Sequence, residues 1–137
     1  MYNDIIIDNF THPQFSGELA SPDFTFMVGN AVCGDRIEIA LATENGLITE
    51  AKFQAWGCAT SVATANIFCS NINGKSFQNV QQIAATDIAP MLGELEPAQQ
   101  HCIAILEALF EQYLQTACNH QQTIKTEHAE ARHVSAS

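Results

Sequence analysis

Residues 36–56 read RIEIALATENGLITEAKFQAW, and the fold turns on how this stretch doubles back on itself. Ile37, Ile39 and Leu41 alternate with Arg36, Glu38 and Ala40, the period-two pattern of a strand with one face in a core. Glu44-Asn45-Gly46 supplies a turn, and the return strand, residues 47–56, carries Ala51, Phe53 and Ala55 on one face. Two registers compete. A two-residue Asn45-Gly46 turn pairs Glu44 with Leu47 and places Cys33 opposite Cys58. It also sets Ile37 against Gln54 and Ile39 against Lys52, so the apolar faces miss each other. A three-residue loop with Gly46 in the left-handed region pairs Thr43 with Leu47, Ile37 with Phe53 and Ile39 with Ala51. This second register is the expected one. It puts Cys33 opposite Gly57 and leaves Cys58 one residue further on at the same end of the sheet. Asp35 then shares the face of Cys33.

Outward from the hairpin, residues 24–28 read as a preceding strand and nearly everything after Cys58 reads as helix. The first ten residues place Tyr2, Ile5, Ile6 and Phe10 on one side of a short helix that ends before His12-Pro13. Residues 11–23, rich in Gly, Pro and Ser, form a loop. The small residues from Ala59 onward suit a helix packed closely on the sheet, with Cys58 at its N-terminus. Asn73-Gly74-Lys75-Ser76 is a turn, followed by short helices at residues 77–84 and 87–92. Glu96-Pro97 then fits a cap with proline at the first helical position, after which Cys102, Ile105, Leu106, Leu109, Phe110 and Tyr113 recur at helical spacing. Together these predict an α+β fold, a small three-stranded antiparallel sheet covered by helices. One domain is expected over residues 1–118, followed by a polar, weakly periodic and flexible tail over residues 119–137.

The chain has 137 residues, enough for one modest core. Fifteen acidic residues against five Lys and Arg give a formal charge of −10, the wrong sign for gripping a nucleic-acid backbone or an anionic lipid surface. The first 35 residues contain no Lys or Arg, and no apolar run approaches the roughly 20 residues of a membrane span. A cytoplasmic protein is expected. Five cysteines is an odd number, and in a reducing compartment they are free thiols or metal ligands before they are disulfides.

Three segments carry the chemistry: Cys33-Gly34-Asp35, Gly57-Cys58-Ala59 and His101-Cys102. Each sits where a rigid element begins or ends. Thiolates with an imidazole and a carboxylate in such places hold a soft metal or an iron–sulfur cluster with one side open. The cysteines come singly, not as the paired knuckles of a zinc ribbon. Cys58 and Cys102 fall early in their helices, where the positive end of the dipole lowers a thiol's pKa. Cys69 and Cys118 read as small buried hydrophobes, and His120, His128 and His133 as solvated. A Cys102–His101 nucleophilic pair is disfavoured, because adjacent helical residues point about 100° apart. The same residues also admit a zinc protein, or a zinc-assisted sulfur acceptor, in which Cys33, Cys58, Cys102 and either Asp35 or His101 complete a tetrahedron.

Read in order, Cys33-Gly34-Asp35, Trp56-Gly57-Cys58-Ala59 with its Ser/Thr/Ala-rich helix, Asp87-Ile88-Ala89, Leu95-Glu96-Pro97 and His101-Cys102 resemble the iron–sulfur cluster scaffold family of IscU and the NifU N-terminal domain. Tyr2, Asp8 and His12-Pro13 resemble that family's opening. The resemblance spans roughly residues 1–118. It implies a non-enzymatic scaffold that takes sulfur from a cysteine desulfurase and iron from a donor. The scaffold holds a labile [2Fe-2S] cluster and passes it to apo-proteins. It implies that Cys33, Cys58 and Cys102 are the scaffold thiols, that Asp35 keeps the cluster labile, and that His101 is an alternative ligand. Zinc in the isolated protein would fit the same site. Leu95-Glu96-Pro97-Ala98-Gln99 departs from the family's Leu-Pro-Pro-Val-Lys, which argues against partnership with a dedicated Hsp70-type chaperone.

Overall fold

The computed structural model describes the backbone of residues 2–30 and 35–133, and the side chains of residues 2–29 and 36–119. Three strands form one antiparallel sheet in chain order: β1 (Phe24–Asn30), β2 (Asp35–Glu44) and β3 (Leu47–Trp56). Around it lie α1 (Asp4–Thr11), α2 (Ala59–Ile72), α3 (Phe77–Ala84) and α4 (His101–His133), with 3-10 turns at Ala89–Leu92 and Pro97–Gln99. The expected α+β class and the sheet covered by helices are both present.

The hairpin corrects the expected register. Asn45 and Gly46 both take positive φ, 55° and 80°, so the tip is the two-residue turn that Asn-Gly favours, and Glu44 pairs with Leu47. The apolar faces are then matched by an irregularity further down. Thr43 pairs with Ile48, but Ala42 pairs with Glu50, so Thr49 is an extra residue on β3. Its hydroxyl donates to the Ala42 carbonyl at 3.1 Å. Beyond that bulge Leu41 faces Ala51, Ile39 faces Phe53 and Ile37 faces Ala55. The expected pairing of Cys33 with Gly57 rested on Ile37 facing Phe53 and no longer follows. Cys33 and Gly34 themselves lie outside the described residues.

Ile37, Ile39, Leu41, Ala51 and Phe53 are buried on the face that receives the helices, joined from β1 by Phe26 opposite Ile39. The helix α2 packs on β3 and α4 on β1, and the two helices pack on each other. Small residues such as Ala63 and Ala65 bring α2 close, while Phe68 meets Phe110 of α4 edge to face at 5.0 Å between ring centres. Cys102, Leu106, Leu109, Phe110 and Tyr113 form the buried stripe of α4, as their spacing predicts.

The outer edge of β3 is covered twice. Phe53 donates to the Phe15 carbonyl at 3.0 Å and accepts from the Gly17 amide at 2.9 Å. Ile48 exchanges bonds with Lys75 and Gly74 at 2.8 and 2.7 Å, and the Ala51 amide donates to the Asn73 side chain at 3.0 Å. A strand edge so occupied offers little to another chain.

The first helix departs from expectation. Of the residues expected on one apolar side only Ile6 is buried, while Tyr2, Ile5 and Phe10 are exposed. What anchors α1 at its start is Asn3. Its carbonyl oxygen accepts from the Ile6 amide at 2.8 Å, capping the helix, and its amide group donates to the Leu92 and Glu94 carbonyls at 2.8 and 2.6 Å. Gly93, with φ 75°, lies against it: a Cβ there would sit 2.9 Å from the Asn3 amide nitrogen. The polar stretch expected as a tail after residue 118 is entered by α4, whose backbone is helical from His101 to His133.

Asn3→Ala removes a cap and two hydrogen bonds, each worth about 1 kcal/mol at such half-exposed sites, so a loss of about 3 kcal/mol is expected in urea unfolding. Gly93→Ala adds backbone strain to the same joint and should cost at least as much. Stability unchanged in both variants would show that the joint does not hold α1.

Candidate functional site

The chain leaves β3 at Trp56 and enters α2 through Gly57 and Cys58. Gly57 has φ 131°, a conformation that side chains rarely adopt, and Cys58 follows in extended geometry as the cap residue of α2. The strand end and the helix start thus deliver Cys58 to the positive end of α2, as the sequence predicts. Its Sγ lies 2.7 Å from the Thr60 hydroxyl and 3.7 Å from that of Ser61.

From the other side, the 3-10 turn Pro97–Gln99 leads directly into α4, whose first residue is His101. The imidazole is exposed, with Nε2 3.5 Å from the Thr60 hydroxyl. The next residue, Cys102, turns inward and is buried. The starts of α2 and α4 therefore meet, with the Thr60 hydroxyl between Cys58 and His101.

The two thiols titrate in opposite directions. Partial burial raises the pKa of Cys58. The hydroxyls of Thr60 and Ser61, the Ser61 amide and the His101 ring outweigh that and bring it down to about 7. For Cys102 burial dominates and holds the pKa above the ordinary thiol range, the hydroxyls of Thr60 and Thr64 opposing it in part and the neighbouring Cys58 adding to it. This corrects the expectation that both helix starts lower their thiols.

Asp35 opens β2, its backbone paired with Asn30, one residue before Arg36. Its side chain, like Cys33, lies outside the described residues. Among the described residues no three His, Cys, Asp or Glu side chains close on one metal-sized point. At the rim, the Arg36 guanidinium rests over the Trp56 ring, 4.1 Å from its centre, across the β2–β3 pairing. Cys69 is buried in α2 and its thiol is pushed up by burial, the inert role expected of it. Cys118 is exposed, contrary to expectation. The side chains of His120, His128 and His133 lie outside the described residues. Thr60 was not singled out from sequence, although a hydroxyl two residues after a helix-capping cysteine is a legible signal.

The model of the family described as NifU-like N terminal domain matches residues 1–126. "Iron-sulfur cluster assembly scaffold protein IscU 1" of Archaeoglobus fulgidus is 33% identical over 102 residues, 74% of this chain and 67% of that one. The scaffold protein IscU of Escherichia coli K12 is 32% identical over 110 residues, 77% of this chain and 85% of its own. Among solved structures, the N-terminal part of a nitrogen-fixing NifU-like protein from Brucella abortus superposes with a TM-score of 0.62 at 19% identity, covering 82% of this chain and 89% of that chain.

Mapping iodoacetamide labelling by mass spectrometry against pH checks the thiol assignments. Cys58 should label first, its rate rising with a midpoint near pH 7, with Cys69 and Cys102 protected until the chain unfolds. The sign for stability follows from the lowered pKa: ionised Cys58 favours the folded state above the ordinary thiol range, and that contribution fades as pH falls through about 7. A labelling midpoint near the ordinary value of about 8.5 would show that the surrounding hydrogen bonds do not act on Cys58.

Proposed function

We infer that this chain, which belongs to the NifU-like N terminal domain family, is a scaffold on which iron–sulfur clusters are assembled and from which they are passed on. The observation that carries the reading is the meeting of the two helix starts that bear Cys58 and His101, joined through the Thr60 hydroxyl, in a chain whose relatives are described as cluster assembly scaffolds. Those relatives are scaffold proteins, and the reading assigns this chain no turnover on a small substrate.

Sulfur arrives from a cysteine desulfurase as a persulfide. The Cys58 thiolate, populated near neutral pH, attacks the outer sulfur; the donor's S–S bond breaks as the new one forms, and the donor cysteine leaves as a thiolate. Each sulfur carried this way becomes sulfide only on taking two electrons from an external reductant. Iron from a donor protein then joins the cargo, a [2Fe-2S] cluster held by Cys33, Cys58 and Cys102 with Asp35 or His101. Metal binding displaces the proton that burial otherwise keeps on Cys102. A hard carboxylate among soft thiolates is a weak hold, which suits cargo that must leave for apo-proteins.

The free thiols of Cys58, Cys69 and Cys102 fit the reducing cytoplasm. No helix among the described residues is long and apolar enough to cross a membrane. Pro97–Gln99 forms a 3-10 turn with Gln99 buried, a poor match to the extended segment an Hsp70-type chaperone grasps. The zinc reading has no support among the relatives named above.

Anaerobic reconstitution followed by visible absorption and Mössbauer spectroscopy tests the site. Cys33→Ser, Cys58→Ser and Cys102→Ser should each abolish stable loading, whereas Cys69→Ser and Cys118→Ser should load as the parent does. Equal loss in all five would mean that thiol content, not a site, binds the cluster. In the same assay Asp35→Ala should lose and transfer its cluster more slowly than the parent. Faster loss would make Asp35 a structural ligand.

A further inference from the structure

The side chain of Thr60 is buried, yet its hydroxyl reaches reactive groups on both helix starts. Oγ1 lies 2.7 Å from Cys58 Sγ on its own helix start and, at a longer 3.5 Å, faces His101 Nε2 on the start of α4. The residue is held from behind as well, because its carbonyl accepts from the Thr64 hydroxyl at 2.6 Å. A hydroxyl has one proton to give and lone pairs to receive with, so it serves both neighbours at once, donating to one and accepting from the other. Its β-branched stem has few rotamers, so the bridge it makes is stiff.

We propose that Thr60 is a positioning residue of the sulfur-accepting site, its hydroxyl bridging Cys58 to His101 across the two helix starts. The proposal rests on the scaffold reading above and adds to it a fixed geometry. The bridge directs the Cys58 sulfur toward α4, where Cys102 also lies, and turns the His101 ring to the same point. The Ser61 hydroxyl also bonds the sulfur, but at 3.7 Å it is a weaker partner than Thr60 at 2.7 Å. Without the bridge, only the direct interaction of Cys58 with the His101 ring orients the pair, and sulfur delivered to one thiol has a looser direction toward the next ligand.

Three substitutions separate the hydroxyl from the methyl. Thr60→Val keeps the branch and volume and removes the bridge, Thr60→Ser keeps the bridge and removes the methyl, and Thr60→Ala removes both. Full-length variants, shown folded by urea unfolding, are given a cysteine desulfurase and L-cysteine, and persulfide on Cys58 is timed by mass spectrometry. Thr60→Val and Thr60→Ala should be slower than the parent by about tenfold, the scale of one lost hydrogen bond to an ionised partner, with Thr60→Ser close to the parent. Nitrogen NMR of the His101 ring in the same proteins, without desulfurase, should show Nε2 shifted by Val and Ala and unmoved by Ser. Normal uptake and an unshifted ring in Thr60→Val would overturn the proposal, as would loss in Thr60→Ser with retention in Thr60→Val. If Thr60→Val does not fold, the Ser and Ala pair decides by the same readings. If the parent itself takes up no persulfide, the scaffold reading fails, and the ring signal alone decides whether Thr60 bridges the two helix starts.

Discussion

One extra residue on the return strand governs where the chemistry is delivered. The turn chemistry of Asn45-Gly46 demands a two-residue tip, and the buried faces demand that Ile39 meet Phe53; no uninterrupted ladder satisfies both. Thr49 resolves the conflict by bulging out of β3. Because β3 runs directly into Gly57 and Cys58, that single residue also sets how far along the sheet the first thiol lies. Apolar burial is worth more than one ladder hydrogen bond, so the register that buries Ile37, Ile39 and Phe53 prevails and the turn keeps its preferred shape.

The sequence made much of this legible and misled in places that share a cause. Strict alternation through Ile37, Ile39 and Leu41 announced the sheet, and α3 begins and ends at the residues its pattern indicates, capped by Ser76 and Asn79. The bulge was illegible because pattern counting weighs turn and faces as alternatives, whereas a chain accommodates both by inserting a residue. The upward shift of the Cys102 thiol was missed for a related reason. A helix start is identified along the chain, but which side of the first turn faces the core depends on the neighbours that α4 meets. Exposed Cys118 and the exposed Tyr2, Ile5 and Phe10 fail in the opposite sense: apolar character alone does not say whether an element lies over the core.

Two thiols within reach of the same hydroxyl are held in opposite protonation tendencies. Cys58 stands partly in solvent among donors, which favour its anion, and Cys102 lies in the packed interior, which favours its neutral form. A site built this way pairs one thiol poised to react with another that burial keeps protonated. The difference arises from one residue's turn into or out of the core at a helix start, not from different amino acids.

Trp56 is the only tryptophan of the chain, half-exposed at the end of β3, two residues before Cys58 and stacked beneath the Arg36 guanidinium. That placement gives the molecule a built-in optical reporter. Indole emission is sensitive to the cation above the ring and to solvent, and it is drained by any nearby chromophore absorbing in the near ultraviolet, as sulfide-bridged iron does. Filling and emptying of the thiol site would therefore modulate the protein's own fluorescence, and the arrival of a coloured cargo could be followed in real time without a label.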